Sequence, residues 1–437
     1  MRVLFLTSRF PDRPIGGDRL RAVNLIRHLS RRFEVDLFSL CASESDTFHD
    51  EALRSMVRSV HAHRIPRWRR LWNTAKGWLR GLPLQTAYYT DDSARARLRE
   101  LLATHEYDAV VVHLVRMLEY VKDLPRDKVI LEMTDAISFN YSRIRRPVMP
   151  REILYMIERK RLRKYELAAL KTVARAVLVS YEDVRWLVRH GADPSAMTVI
   201  RNGTDFAGLP PSLHYDPDRI VFLGNMRTTQ NEDMCLWFVS EILPIIRKAR
   251  PGTHFVVAGA NPSRRLRSLH GRNGVTVTGY VDSAADALSE SAVSVCPMRY
   301  GAGMQNKILE SMAVGVPVVT TGCGADGLGL RNKNVLLFSD TPEGFAREVL
   351  RILDDKTLRF ELGSRSAAMA AEQFRWVDHM QAYVRLIEAT TALATAPQPL
   401  PTLTTSPLPS VVFAQTSAAV AAGGPEAAEV KALIEAA

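Results

Sequence analysis

The 437-residue chain predicts an α/β protein of two Rossmann-like domains, with parallel sheets facing a central cleft and a disordered C-terminal tail. Three observations carry that expectation. Short runs of Val, Ile, Leu and Phe alternate with amphipathic helical stretches over most of the length, which is the pattern of parallel βα units buried on both faces. The alternation breaks at residues 201–206 (R-N-G-T-D-F) and the proline-rich run up to Pro217, then starts afresh at Arg219. Beyond residue 395 the composition turns to Pro, Thr, Ala and Ser, too poor in core-forming residues to fold alone. The expected organisation is therefore residues 1–205 and 206–375 as the two domains, 376–395 as a helix crossing back to the first domain, and 396–437 as the tail.

Composition narrows the function classes. Apolar content of 46% with 24% charge is that of a soluble globular protein, and no apolar run is long enough for a membrane-spanning helix. The first residues hold only four consecutive apolar positions, too few for a signal-peptide core. Cys41, Cys235, Cys296 and Cys323 have neither C-x-x-C nor zinc spacing, so buried thiols in a reducing compartment are expected, with no metal site. Charge is uneven: residues 1–200 carry 36 Lys/Arg against 24 Asp/Glu, whereas the remainder carries 22 against 23. The basic half thus points to an anionic partner, and the location expected is cytoplasmic, peripheral at the inner face of the cell membrane.

In the first half, strands are expected at 3–7, 34–40, 107–113, 128–133, 176–179 and 197–200. Helices are expected at 18–31, 51–60, 93–104, 151–172 and 182–189. Gly16 and Gly17 stand where the first strand turns into its helix, a place where free backbone N–H groups and the helix dipole favour an anion. A plain βα connection reads equally well there. Between the second and third of these helices lies H-A-H-R-I-P-R-W-R-R-L-W-N-T-A-K-G-W-L-R-G. Its Trp68, Trp72 and Trp78, interleaved with Arg69, Arg70 and other cations, have the composition of an interfacial helix lying on anionic lipid. The competing reading is a basic helix covering the domain's own core. No nucleic-acid motif accompanies the charge, so no nucleic-acid partner is expected. His113 and Asp135 fall at the carboxyl ends of strands, where open parallel sheets bind ligands. They are candidates for acid/base work or acceptor-hydroxyl contacts, against the commoner role of capping a strand end.

In the second half, strands are expected at 220–223, 253–258, 275–278, 292–296 and 316–320. Helices are expected at 231–247, 284–289, 343–353, 357–371 and 376–394. The stretch 293–321 is the most informative. Pro297 ends a buried strand, Gly301 and Gly303 make a turn free of side chains, and a helix is expected from about Gly303 to Val314. Lys307 and Glu310 share one face of its first turns. An ammonium there suits phosphate oxygens, and a carboxylate suits a sugar's paired hydroxyls. Asn306 and Ile308 exclude a P-loop, and Asn306 also excludes a dinucleotide fingerprint. A surface ion pair is the plain alternative.

Taken together, the glycine loop after the first strand, N-G-T-D before the second half, G-x-G-x-x-x-K-x-x-E and E-S-M-A-V-G-V-P-V-V-T resemble the GT-B glycosyltransferases, specifically glycosyltransferase family 4. The blocks F-L-G-N-M-R-T-T-Q-N, I-L-P-I-I-R and V-T-G-Y-V-D look like those of sugar transferases from bacterial exopolysaccharide clusters. The resemblance implies a hexosyl-type transferase that moves a sugar from a nucleotide-diphosphate sugar to a lipid-linked or growing saccharide, with retention and without a metal or other cofactor. It implies donor contacts from Gly16, Gly17, Arg227, Arg299, Gly301, Gly303, Lys307 and Glu310, with Glu310 on the ribose and Lys307 with Arg299 on the diphosphate. The acceptor would lie in the first domain by His113 and Asp135. Two departures stand out: Ala302 occupies the place of a frequent glutamate, and Asn225 and Gln230 replace a frequent Arg and Lys. A nucleotide-sugar epimerase on the same fold, or a non-catalytic membrane-associated adaptor, are the alternatives.

Overall fold

The computed structural model describes residues 1–12, 16–41, 51–144, 151–205, 211–331 and 333–395. The expected tail at 396–437 and the middle of the expected linker, 206–210, lie outside the described residues.

Seven strands form the first sheet: β1 (Arg2–Thr7), β2 (Glu34–Cys41), β3 (Ser59–Arg64), β4 (Ala109–His113), β5 (Val129–Thr134), β6 (Arg175–Leu178) and β7 (Met197–Val199). Their order is β3-β2-β1-β4-β5-β6-β7, and every pairing is parallel. Val3 to Leu6 are fully buried because helices cover both faces, which is why this strand reads as an unbroken apolar run. Six strands form the second sheet: β8 (Asp216–Leu223), β9 (His254–Ala258), β10 (Val275–Gly279), β11 (Ser291–Cys296), β12 (Val318–Thr320) and β13 (Leu337–Phe338). Their order is β10-β9-β8-β11-β12-β13, again all parallel. Strand order reverses direction between β1 and β4 in one sheet and between β8 and β11 in the other. Each reversal opens a crevice beyond the carboxyl ends of the strands.

The helix Trp376–Thr395 returns to the first sheet, where Trp376, Met380, Tyr383 and Ile387 share a core with Val3, Phe5, Leu25 and Ile26. At the crossing point two backbone segments touch: Thr204 N–H donates to the Phe374 carbonyl at 2.7 Å. A Cβ on Gly203 would stand 2.4 Å from the Trp376 nitrogen, so only glycine permits this approach.

Four expectations are corrected. The helix expected at 51–60 stops at Met56, and S-V-H-A-H-R forms β3, an edge strand whose half-exposed polar side chains hide its period. No strand was expected at the end of the apolar run 335–338 (V-L-L-F), where Leu337–Phe338 form β13. The helix expected at 231–247 is interrupted by a π turn at Phe238–Ile242 before Leu243–Ala249, because Pro244 has no N–H to continue the ladder. The helix expected from Gly303 begins at Asn306, since Gly301 (φ 151°) and Gly303 (φ 70°) are not helical.

Candidate functional site

The crevice of the second sheet is built on β8, β11 and the helix Asn306–Ala313. β11 ends at Cys296, whose carbonyl accepts from Met298 N–H at 2.8 Å, and Thr321 Oγ1 donates to the Met298 carbonyl. The chain then runs through Gly301 and Gly303 into the helix. Ile308, Leu309, Met312 and Ala313 bury one side of it against the sheet. That packing leaves Lys307 and Glu310 on the crevice side. Lys307 Nζ donates to Gln305 Oε1 at 2.9 Å and lies 5.6 Å from the Phe222 ring, at the base of the loop. Glu310 is half-buried, and no donor among the described residues pairs with its carboxylate. Burial pushes this carboxyl above its usual value, against the opposing pull of Lys307.

The first domain closes on this loop from the other side. A Cβ on Gly17 would stand 3.7 Å from Asn306 Nδ2, and one on Gly16 would stand 3.8 Å from Asn225 Nδ2. Asn202 Nδ2 donates to Asn306 Oδ1 at 2.9 Å, and Gln230 Nε2 donates to Asn140 Oδ1 at 2.9 Å. Arg143 reaches across with one nitrogen on the Gly301 carbonyl at 3.1 Å and another on Asp326 at 2.8 Å. The Asp135 carboxylate lies so close to Gly303 that a Cβ there would meet its Oδ1 at 2.0 Å. Gly16, Gly17, Asp135, Gly301 and Gly303 are thus brought together at one cleft mouth, beside Lys307 and Glu310.

The two strand-end residues differ in state. At the end of β5 a register shift and a left-handed Thr134 (φ 64°) turn Asp135 out of the sheet. Burial first, then the neighbouring Asp183, pushes the Asp135 carboxyl up to about 8. His113 is 2% exposed, and burial pushes its imidazole down to about 3, so the ring is neutral. Its Nδ1 faces Thr7 Oγ1 at 3.5 Å, its Nε2 has no hydrogen-bond partner among the described residues, and Leu114 beside it also has a positive φ (73°).

Other expected residues are placed elsewhere. Arg299 is not free for a diphosphate: its guanidinium forks onto Asp233 and lies 5.4 Å from the Trp237 ring. Arg227 is exposed and its side chain has no partner among the described residues. Arg70 is buried at 4% exposure, donates to the Ile65 and Cys41 carbonyls and packs on Tyr88 and Tyr89, so it faces the protein core and not a lipid surface. Trp78 is half-buried under Arg161, whose guanidinium sits 4.6 Å from its ring. Trp68 and Trp72 are 66% and 67% exposed. Arg69 is half-exposed near Asp91 and Ser93. Arg143, Asn202 and Asn306 were missed as cleft residues. Arg143 and Asn306 carry no sequence signal beyond a polar residue at the end of a helix, which is too common to single them out, and Asn202 is marked only as the first residue of N-G-T-D.

No helix among the described residues is long and apolar enough to cross a membrane. Residues 217–355 match the family described as Glycosyl transferases group 1. A Klebsiella pneumoniae protein described as an uncharacterized 44.6 kDa protein in cps region is 22% identical over 371 residues, covering 80% of this chain and 90% of that protein. The solved sucrose-phosphate synthase of Thermosynechococcus elongatus superposes with a TM-score of 0.70 at 16% identity, covering 90% of this chain and 100% of the other. Anabaena Alr3699/HepE in complex with UDP-glucose superposes with a TM-score of 0.63 at 15% identity, covering 89% of this chain and 100% of the other. Over residues 217–355 the chain is thus similar to group 1 glycosyltransferases, and its two parallel sheets have the GT-B fold of the solved neighbours.

Proposed function

We propose that the protein transfers a hexosyl group from a nucleoside-diphosphate sugar to a saccharide or lipid-linked acceptor in surface-polysaccharide synthesis, with retention and without a metal ion. One observation carries the reading: the unpartnered, half-buried Glu310 carboxylate stands one helical turn from Lys307, behind a glycine loop closed by the other domain. Glu310 accepts hydrogen bonds from the ribose hydroxyls, and Lys307 with the free N–H groups of the helix Asn306–Ala313 takes the diphosphate. These groups offset the charge that develops on the leaving diphosphate, the role a metal ion plays in other transferases. Asp135 and the neutral His113 lie on the acceptor side. The relative in a cps region and the neighbour holding UDP-glucose support the substrate class.

Turnover tests this directly. Incubated with UDP-, GDP- and ADP-hexoses, the protein is expected to release one nucleoside diphosphate equally well in EDTA, and faster when saccharide or lipid-linked acceptors are added. Conversion of the donor into another nucleotide sugar without release would point to an epimerase. Binding with no release from any donor would point to an adaptor.

The proposal includes docking on an anionic membrane. On the helix Arg67–Leu79, the exposed Trp68, Leu71, Trp72 and Leu79 form one outward stripe flanked by Arg67, Lys76 and Arg80. Ile153, Leu154, Met156 and Ile157 are exposed on the helix Arg151–Leu170, which meets the first helix through Arg161 and Trp78. Each large apolar side chain buried in the interface is worth about 1.5–3 kcal/mol. The variant W68A/W72A should therefore bind anionic vesicles at least about tenfold more weakly in co-sedimentation. Equal binding by variant and parent would remove the membrane from the proposal.

A further inference from the structure

The crevice of the first sheet contains a cationic group that the donor chemistry does not use. Arg9 follows β1, Arg116 follows β4, and the Tyr89 hydroxyl lies between them. Arg9 Nε donates to Tyr89 Oη at 3.1 Å and Arg9 Nη1 to Asp18 Oδ2 at 3.1 Å. Arg116 Nε donates to Ser8 Oγ at 2.8 Å, its Nη2 meets Asp18 Oδ2 at 3.4 Å, and its guanidinium lies 4.7 Å from the Tyr89 ring. Two guanidiniums therefore share a single carboxylate oxygen. Each keeps an Nη atom with no partner among the described residues, Nη2 of Arg9 and Nη1 of Arg116.

The charge does not balance locally. The Arg116 side chain is 11% exposed and that of Asp18 is 24% exposed. His113 beside them is neutral and has a buried Nε2 with no partner among the described residues. An uncompensated cation held this far from water is unfavourable unless an anion completes the site. Burial alone would raise the Tyr89 phenol, yet Arg116 and Arg9 together hold it below its usual value, which registers the positive potential at that point. Asp18 sits in the first turn of the helix that begins at Gly17, and Gly17 faces Asn306 across the cleft, so the cluster opens beside the transfer site.

We propose that Arg9 and Arg116 grip an oxyanion carried by the acceptor, a phosphate or a carboxylate, at the carboxyl ends of β1 and β4. The assignment rests on the transferase reading above. Guanidinium pairs present forked donors that match phosphate and carboxylate geometry, and neutral sugar hydroxyls give no equivalent return for holding the buried Arg116 beside a second cation. The donor's own diphosphate is provided for on the other side of the cleft by Lys307 and the glycine loop. An acceptor that is a sugar phosphate or lipid diphosphate supplies the phosphate, and an acidic glycan end supplies the carboxylate.

Calorimetric titration of the full chain, saturated with whichever nucleoside diphosphate binds it, tests the assignment with glucose 6-phosphate, glucuronate and methyl glucoside as probes. An anionic probe is expected to bind at least about tenfold more tightly than methyl glucoside, and R9Q or R116Q should erase that preference while nucleotide affinity stays within about twofold. Preference for the phosphate points to a phosphorylated acceptor, and preference for glucuronate points to an acidic glycan. R9Q alters a half-exposed side chain and keeps the test decisive where R116Q fails to fold. Equal binding of the three probes, or a preference untouched in R9Q, would overturn the assignment. A loss of nucleotide affinity in R9Q would give the arginines to the donor instead. Failure of every nucleoside diphosphate to bind the parent protein would count against the transferase reading itself, a result distinct from lost anion preference.

Discussion

Glu310→Gln is expected to weaken nucleoside-diphosphate binding by about 10- to 100-fold, the loss of one or two charge-assisted hydrogen bonds worth roughly 1.5–3 kcal/mol. The substitution keeps the shape of the side chain and removes its charge. Stability should not fall. Burial raises the folded-state pKa of Glu310 above its unfolded value. Such a group stabilises the fold only below its unfolded pKa, and that contribution is lost as pH rises through the folded pKa. Ionising Glu310 in the folded protein therefore carries a cost, and Gln removes it. Calorimetric titration with a paired thermal melt checks both halves. Unchanged affinity would take Glu310 out of the donor site, and a large drop in melting temperature would make it a structural residue.

Arg21→Met is expected to cost roughly 3–5 kcal/mol of folding stability, the range for removing one partner of a buried ion pair. Arg21 and Glu132 are both fully buried, with Nε and Nη2 donating to the two carboxylate oxygens at 2.8 and 2.9 Å. The third guanidinium nitrogen holds Asn202 Oδ1 at 2.9 Å. One side chain thus ties the helix behind Gly16–Gly17, the end of β5 and the segment that crosses between domains. Truncation leaves a buried carboxylate facing only neutral donors, Thr134 N–H and Oγ1 and the Tyr383 hydroxyl, which do not offset its charge. The double variant R21M/E132L should recover a large part of the loss, because no charge is then stranded. Denaturant unfolding of the three proteins makes the comparison, and a single-variant cost below about 1 kcal/mol would contradict the account.

The sheets were legible because strand segments buried on both faces are largely apolar, as 3–6, 109–112, 220–223 and 292–295 are. Edge strands escape that demand, which is why β3 reads as polar, whereas β13 is apolar but pairs over only two residues. The donor loop was legible for a local reason: Gly301, Gly303, Lys307 and Glu310 lie within ten residues, and helix periodicity places the last two. Contacts between domains have no such local signature. Nothing near Asp135 announces that its carboxylate will rest on Gly303, and nothing near Arg143 announces the Gly301 carbonyl.

Charge was legible as composition but not as direction. Arg299 reads as a phosphate ligand until Asp233 is found one helix away. On the basic helix the periodicity did hold the answer. At about 100° per residue, Arg70 lies about 200° round from Trp68 and Trp78 about 120° from Trp72, so neither belongs to the outward stripe that Leu71 and Leu79 continue. The arginine pair Arg9 and Arg116 sits on two separate strand ends, and only the adjacency of β1 and β4 reveals it.

The most direct measurement is a thermal-shift panel of UDP, GDP, ADP and CDP on the full chain, with and without Mg²⁺ and EDTA. One diphosphate at about 100 times its Kd should stabilise the protein by about 2.7 kcal/mol, a rise of several degrees that is independent of metal and absent in Glu310→Gln. A flat response to all four would contradict the account and take Lys307 and Glu310 out of a donor site.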